Sequence, residues 1–286
     1  MKIRKAVITA AGWGTRFLPI TRSQPKEMLP LVDKPLIQYS VEEAVNSGIK
    51  QVIVVTSENK KPIEDYFGRS FKLETFLKRK KETKLLKRMR EISSMADICY
   101  VQQKEPLGLG HAILTAKDVI GDESFAVVLP DDILISKIPA LKQIISIYDK
   151  YKSGVIAVES IRKEDTHSYG IVEPKRVENK IYRVLGLVEK PEPSQAPSRL
   201  AIIGRYILTP AIFDILKDTP PGKNGEIQLT DALCLQLKHE NLFAYELEGT
   251  RYDAGMPLGW LKANVELALD RDDIGQELKD YLKKLL

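Results

Sequence analysis

With 286 residues, 43% of them hydrophobic and 29% charged, the chain has the composition of an ordinary enzyme with a sizeable core, which excludes a disordered protein. No run of about 18 apolar residues occurs, and Met1-Lys2-Ile3-Arg4-Lys5 leads straight into a strand, so no membrane partner or signal peptide is predicted and a cytoplasmic location is expected. The net charge of +5 gathers in Lys78-Arg79-Lys80-Lys81 and residues 84–90, but Leu73, Phe76, Leu77, Leu85, Leu86 and Met89 recur there near helical spacing, predicting amphipathic helices and no nucleic-acid partner.

The first predicted strand, Lys5–Ala10, empties into Ala10-Ala11-Gly12-Trp13-Gly14-Thr15-Arg16, followed by Pro25-Lys26-Glu27-Met28-Leu29-Pro30. Gly-rich backbone lets N–H groups approach a polyphosphate without Cβ obstruction, and Arg16 and Lys26 add cationic charge, so a nucleoside triphosphate is the expected ligand. The dinucleotide fingerprint fails because Phe17 stands where a third Gly or Ala is needed, and the Walker pattern fails for want of Gly-Lys-Ser/Thr.

Further along, helical patterns at Pro35–Ser47, Gly110–Ala116 and Ile138–Tyr151 alternate with apolar β-rich runs at Gln51–Thr56, Ile98–Gln102, Phe125–Leu129 and Gly154–Val158. Such alternation predicts an α/β, Rossmann-like, doubly wound and mostly parallel mixed sheet with helices on both faces. Ligands of such sheets sit beyond the carboxyl ends of the strands, where Ala11-Gly12, Gln102-Gln103 and Asp131-Asp132 fall. Cys99 and Cys234 lie far apart in apolar settings, predicting two buried reduced thiols, and the three histidines lack zinc-site spacing.

After residue 160 the extended segments shorten, with Gly and Pro punctuation and a strand at Leu185–Val188. Thr230 is placed to cap a helix beginning at Asp231. Two helices, Pro257–Leu269 and Ile274–Leu286, carry apolar stripes through Leu261, Val265 and Leu269, then Leu278, Tyr281, Leu282 and Leu285. No flexible linker appears, so residues 1–286 read as a single domain with lobes at about 1–135 and 136–256 and C-terminal helices at about 257–286.

The segments Gly12-Trp13-Gly14-Thr15-Arg16-Phe17-Leu18-Pro19 and Pro25-Lys26-Glu27-Met28-Leu29-Pro30 resemble the signature of sugar-1-phosphate nucleotidylyltransferases. Gln103 through Ala112, Leu129-Pro130-Asp131-Asp132, Val188-Glu189-Lys190-Pro191, Gly204-Arg205-Tyr206 and Gly225 through Ala232 follow in the family's order. They narrow the resemblance to the bacterial type of UTP–glucose-1-phosphate uridylyltransferase. Trp13, in a slot usually held by a smaller aliphatic residue, and Met256, where an acidic residue is common, depart from the pattern. They bear on base preference and metal affinity.

The resemblance implies transfer of a uridylyl group from UTP to glucose 1-phosphate, giving UDP-glucose and pyrophosphate without a covalent enzyme intermediate. It assigns Arg16 and Lys26 to catalysis by charge neutralisation, and Asp131 and Asp253 to a bound Mg²⁺. Ala10, Ala11, Gly12, Gly14, Thr15, Gln103 and Gly108 are implied on the nucleotide side. Asp132, Gly170, Glu189, Lys190 and Gly204 are implied on the sugar-phosphate side, although Asp132 also reads as a turn or helix cap and the two glycines as turns. Glu226 and Asp231 are expected behind the site as supports. A homodimer or homotetramer built through segment 67–95 and the C-terminal helices is also implied. The alternatives are a glucose-1-phosphate thymidylyltransferase and a non-catalytic sugar-nucleotide sensor.

Overall fold

The computed structural model describes residues 2–222 and 225–285. In chain order it contains β1 (Lys5–Thr9), β2 (Pro30–Leu31), β3 (Lys34–Pro35), α1 (Leu36–Asn46), β4 (Gln51–Thr56), α2 (Lys61–Phe67), α3 (Phe71–Arg79), α4 (Thr83–Ser93) and β5 (Asp97–Gln102). Then come α5 (Gly108–Thr115), α6 (Lys117–Ile120), β6 (Phe125–Val128), β7 (Asp132–Ile135), α7 (Ala140–Tyr151), β8 (Gly154–Ser160), β9 (Gly170–Glu178) and β10 (Ile181–Glu189). The chain continues through β11 (Leu200–Leu208), α8 (Ile212–Asp218), α9 (Leu229–Gln236), β12 (Leu242–Glu246), β13 (Thr250–Asp253), α10 (Pro257–Leu269) and α11 (Gly275–Leu285). Leu286, the expected end of the last helix, lies outside the described residues.

Nine strands form one mixed sheet in the order β5-β4-β1-β6-β11-β8-β12-β10-β9. Strands β5, β4, β1 and β6 pair in parallel, as does β8 with β12, while the remaining neighbours run antiparallel. Parallel pairing thus belongs chiefly to the first lobe. Its strands are apolar on both faces because both are covered: Val7, Ile53, Val55 and Val127 pack with residues of α5, α8 and α9, whereas Ile8, Val52, Val54 and Val128 pack with residues of α1 and α7. From β1 the chain turns to β4 and β5 on one side and later to β6 on the other, so the strand order reverses at β1 and β6, the place where such sheets bind ligands.

A third apolar cluster joins Phe17, Leu29, Leu31, Leu36, Ile133, Ala254 and Ala263. Trp260 packs edge-on to Phe17 with ring centroids 6.3 Å apart. Its indole N–H donates to Pro30 O (3.0 Å), and Asn264 Oδ1 accepts from the Val32 amide (2.8 Å). Helix α10 therefore clamps the Lys26 segment onto its own domain. It does so with Trp260, Ala263 and Leu267, whereas Leu261 of the expected stripe is exposed.

Three local expectations are corrected. Cys99 is half-buried because β5 is an edge strand, and Cys234 is exposed on the outer side of α9, so neither is the buried thiol expected. Thr230 is not the cap of its helix: α9 starts at Leu229 with Gln228 at the cap position, and the Thr230 hydroxyl donates to Glu189 Oε2 at 2.6 Å. Asp132 closes the Leu129–Asp132 turn and opens β7, as one reading of it allowed, whereas Gly170 and Gly204 lie within strands, so neither glycine serves a turn.

Candidate active site

Because β1 and β6 are neighbours, the loop after Thr9 and the turn after Val128 lie side by side, which brings Gly12 and Asp131 together. Between them is a cavity of about 480 Å³ bordered by Ala11, Gly12, Gly14, Thr15, Lys26, Gln103, Gly108 and Asp131 among others. Gly14 takes φ +65, and a Cβ there would stand 3.1 Å from Lys26 Cβ and from Thr21 Cγ2, so the loop folds tightly onto the clamp segment only with glycine. Ala10 is the exception among the expected residues: its methyl group is fully buried in the core below the cavity.

Gln103 follows β5 and is 5% exposed. Its amide nitrogen donates to Gly108 O (3.2 Å) and lies 2.9 Å from His111 Nδ1. That commitment leaves Oε1 as the acceptor the side chain presents. A Cβ at Gly108, where φ is +92, would meet Glu226 Cβ at 2.8 Å, so this turn and the segment at Glu226 touch through backbone.

The carboxylates expected to share a metal come from distant parts of the chain. Strand β13 pairs antiparallel with β7 in a register that sets Asp253 opposite Asp132, and the Ala254 amide donates to Asp131 O at 2.8 Å. A Cβ added at Gly255 would stand 2.9 Å from Asp131 Oδ2 and 3.1 Å from Asp253 Oδ1, so an oxygen of each carboxylate lies close to this glycine and the two side chains come together beside it. Lys26 Nζ donates to Asp131 Oδ2 at 2.6 Å. Burial works against the Asp131 anion, but the Lys26 ammonium overrides it and holds the carboxyl below its ordinary range. Burial likewise opposes the Lys26 charge, and Asp131 raises it above the usual lysine value. Both groups stay charged across the neutral range.

A second cavity of about 400 Å³ adjoins the first. It is bordered by Arg16, Asp132, Gly170, Glu189, Lys190, Gly204 and Asp253, and shares Leu109, Leu129, Asp131 and Glu226 with its neighbour. Lys26 therefore faces Asp131 from the first cavity and Arg16 from the second. Glu189 Oε2 is fixed by Thr230, and Lys190 Nζ lies 3.3 Å from Glu189 Oε1. Asp132 accepts from the Gly204 amide (3.1 Å) and from Arg251 Nε (2.6 Å), which fastens two walls of the cavity to each other. Burial pushes the Asp132 carboxyl up, aided by Asp131 and Asp253 and opposed by Arg251. A Cβ at Gly204 would stand 2.6 Å from Leu129 Cβ and 2.7 Å from Asp132 Oδ2, so this close approach also demands glycine.

Sequence reasoning missed several residues here. Glu226 borders both cavities and is no mere support behind them, while Asp231 borders neither. Glu27 is 1% exposed and lines the first cavity. Its Oε2 accepts from Lys60 Nζ at 2.6 Å, and its Oε1 has no hydrogen-bond partner among the described residues. Burial pushes the Glu27 carboxyl up against the pull of Lys60. Its position beside Lys26 in the sequence was the available signal. Arg205, fully buried, forms a bidentate pair with Glu43 of α1 (2.9 and 2.8 Å) and donates to Leu129 O, Gly204 O and Asp132 O. It braces the turn that carries Asp131.

The chain matches the family described as Nucleotidyl transferase over residues 5–269. It is 51% identical, over all of its own length and 96% of the relative's, to a UTP–glucose-1-phosphate uridylyltransferase of Bacillus subtilis strain 168. Among solved structures, a UDP-glucose pyrophosphorylase complexed with UDP-glucose superposes with a TM-score of 0.87 at 47% identity, covering 94% of this chain and all of that one. A UTP-bound enzyme of the same kind from Acinetobacter baumannii gives 0.93 at 41% identity, covering 99% of this chain and all of the other.

Proposed function

The chain belongs to the nucleotidyl transferase family, and from that premise we propose that its paired cavities join UTP to glucose 1-phosphate. It is a UTP–glucose-1-phosphate uridylyltransferase, an enzyme that makes UDP-glucose and releases pyrophosphate. The observation that carries the assignment of sites is that the two cavities meet at Asp131, with Lys26 bordering one and Arg16 the other.

The reaction needs no protein nucleophile. An oxygen of the sugar phosphate attacks the α-phosphorus of UTP, the bond to the bridging α,β-oxygen breaks, and pyrophosphate carries away the electron pair from the opposite side. Positioning and charge neutralisation supply the catalysis, because both reactants are highly negative. Lys26 stabilises the triphosphate from the nucleotide cavity, and Arg16 meets the incoming phosphate from the sugar cavity.

Gln103 Oε1 accepts from the uracil N3–H, with Gly108 letting backbone approach the base. Glu27, buried beside Lys26 and paired with Lys60, holds the clamp segment in place under the nucleotide cavity. Glu189, locked by Thr230, accepts from glucose hydroxyls, and Lys190 pairs with the sugar phosphate. Gly170 and Gly204 border the hexose cavity and let Thr230, Glu189, Leu129 and Asp132 pack close against its walls, and Asp132 keeps those walls in register.

Asp131 and Asp253 fit a Mg²⁺ ion: the two carboxylates come together beside Gly255, both border the second cavity, and hard carboxylate oxygens suit this cation. An ion held by these two carboxylates would leave its remaining positions to substrate phosphate and water, as Mg²⁺ prefers. Bound there, the ion supplies positive charge to the reacting phosphates. Pyrophosphate release from UTP, dependent on glucose 1-phosphate, is expected to vanish after EDTA treatment and return with Mg²⁺. Release that survives chelation would refute the metal, and faster release from dTTP would move the enzyme to the thymidylyl branch.

A cytoplasmic location suits a reaction between two charged metabolites; no helix among the described residues is long and apolar enough to cross a membrane. Self-association as a homodimer or homotetramer would cover Phe71, Phe76 and Leu85 on α3 and α4 and Leu258, Leu261 and Tyr281 on the C-terminal helices, all exposed. Light scattering is expected to give a multiple of 32.3 kDa. A single-chain mass would refute it.

A further inference from the structure

Trp13 plays no part in the chemistry above, yet its indole is 70% exposed at the mouth of the nucleotide cavity. A tryptophan ordinarily buries roughly 150–250 Å², so an indole left in water forgoes a large gain unless something covers it. Beyond the nucleotide cavity lies a wider one of about 710 Å³. The two share Ala11, Gly12, Trp13, Thr15, Gln103 and Pro106, so Trp13 stands on the seam beside the glutamine that meets the base.

The turn holds the indole from one end only. On its far side Gly14 is packed against Lys26 and Thr21, and Thr21 Oγ1 donates to Gly14 O at 2.9 Å. On its near side a Cβ at Gly12 would meet nothing within 4 Å, so that half of the loop is open. An apolar ring on such a turn can lie down on a flat ligand without disturbing the phosphate clamp.

We infer that Trp13 closes over the nucleotide base from the solvent side and stacks on its face, a base-positioning residue in addition to Gln103 at the ring edge. This rests on the reading of the cleft as a UTP site. Stacking uses the π-face that every base presents, so Trp13 adds affinity without choosing between uracil and thymine.

The test compares the full-length protein with Trp13→Leu and Trp13→Phe in steady-state kinetics, and follows tryptophan fluorescence during titration with UTP, UDP and inorganic triphosphate. Trp13→Leu is expected to raise KM for UTP roughly tenfold to a hundredfold, with kcat within about twofold and KM for glucose 1-phosphate unchanged. Trp13→Phe, which keeps an aromatic face, recovers most of the loss. UTP and UDP quench the parent's fluorescence, triphosphate alone does not, and the quench disappears in Trp13→Phe. A parental KM in Trp13→Leu, or a quench that survives in Trp13→Phe, overturns the stacking role while intact turnover leaves the UTP reading standing. Absence of UTP turnover in the parent would overturn both.

Discussion

Replacing Lys26 with alanine is expected to lower turnover by about 10²–10³-fold, the scale of one donor lost from a transition state. The ammonium lies 2.6 Å from Asp131 Oδ2, at the boundary of the two cavities. In the proposed mechanism negative charge accumulates there as the pentacoordinate phosphorus forms. Without Lys26 the Asp131 carboxylate also loses the charge that holds its pKa down, and it faces the phosphates unscreened. An interaction that strengthens in the transition state appears in kcat more than in KM. The side chains of the pair are only 22% and 24% exposed, so a thermal melt is the control that separates loss of chemistry from loss of fold. Turnover within about threefold of the parent would remove Lys26 from the chemistry.

Arg205→Leu is expected to destabilise the fold by about 3–5 kcal/mol, because breaking a buried pair strands the other charge. Arg205 is 0% exposed, and its guanidinium satisfies Glu43 together with the carbonyls of Leu129, Gly204 and Asp132. At this chain length the melting temperature is expected to fall on the order of 10 °C. Adding Glu43→Leu recovers part of that loss, since the stranded carboxylate is then gone, but not all of it, since three carbonyls lose their donor. A single variant that melts within about 2 °C of the parent would show that the brace carries no such load.

The first lobe was legible from its strands outward. Val52 through Val55 and Ala126 through Val128 are continuously apolar because helices cover both faces, and each strand's end then located a cluster of site residues. The second lobe was less so. Strand β11 is buried along its whole length, but Gly204 and Arg205 interrupt its apolar run, and Arg205 reads as a surface charge until Glu43 is brought to it. Strands β7 and β13 are four residues each and far apart in sequence, so their pairing, which unites Asp131 with Asp253, leaves no local periodicity to detect.

Local grammar misled at Thr230. A hydroxyl before an acidic residue near a helix start is a good cap, but the Glu189 carboxylate arriving from β10 is the stronger acceptor and takes it. At Cys234 the helix was anticipated but not which face would point outward. Lys26, Asp131, Gln103, Glu189 and Lys190 were named through the resemblance, and the structure gathers them around two adjoining cavities. Glu27 escaped notice because adjacent charges in a loop look like solvated pairs, whereas here Lys60 and a shallow helical turn draw the glutamate into the interior.

The most direct test of the central claim is to incubate the protein with Mg²⁺, UTP and glucose 1-phosphate and quantify both products by chromatography. UDP-glucose and pyrophosphate in equal amounts, with nothing formed when the sugar phosphate is omitted, is the expected result. UTP binding without either product would contradict the account and leave the paired cavities as those of a sugar-nucleotide sensor.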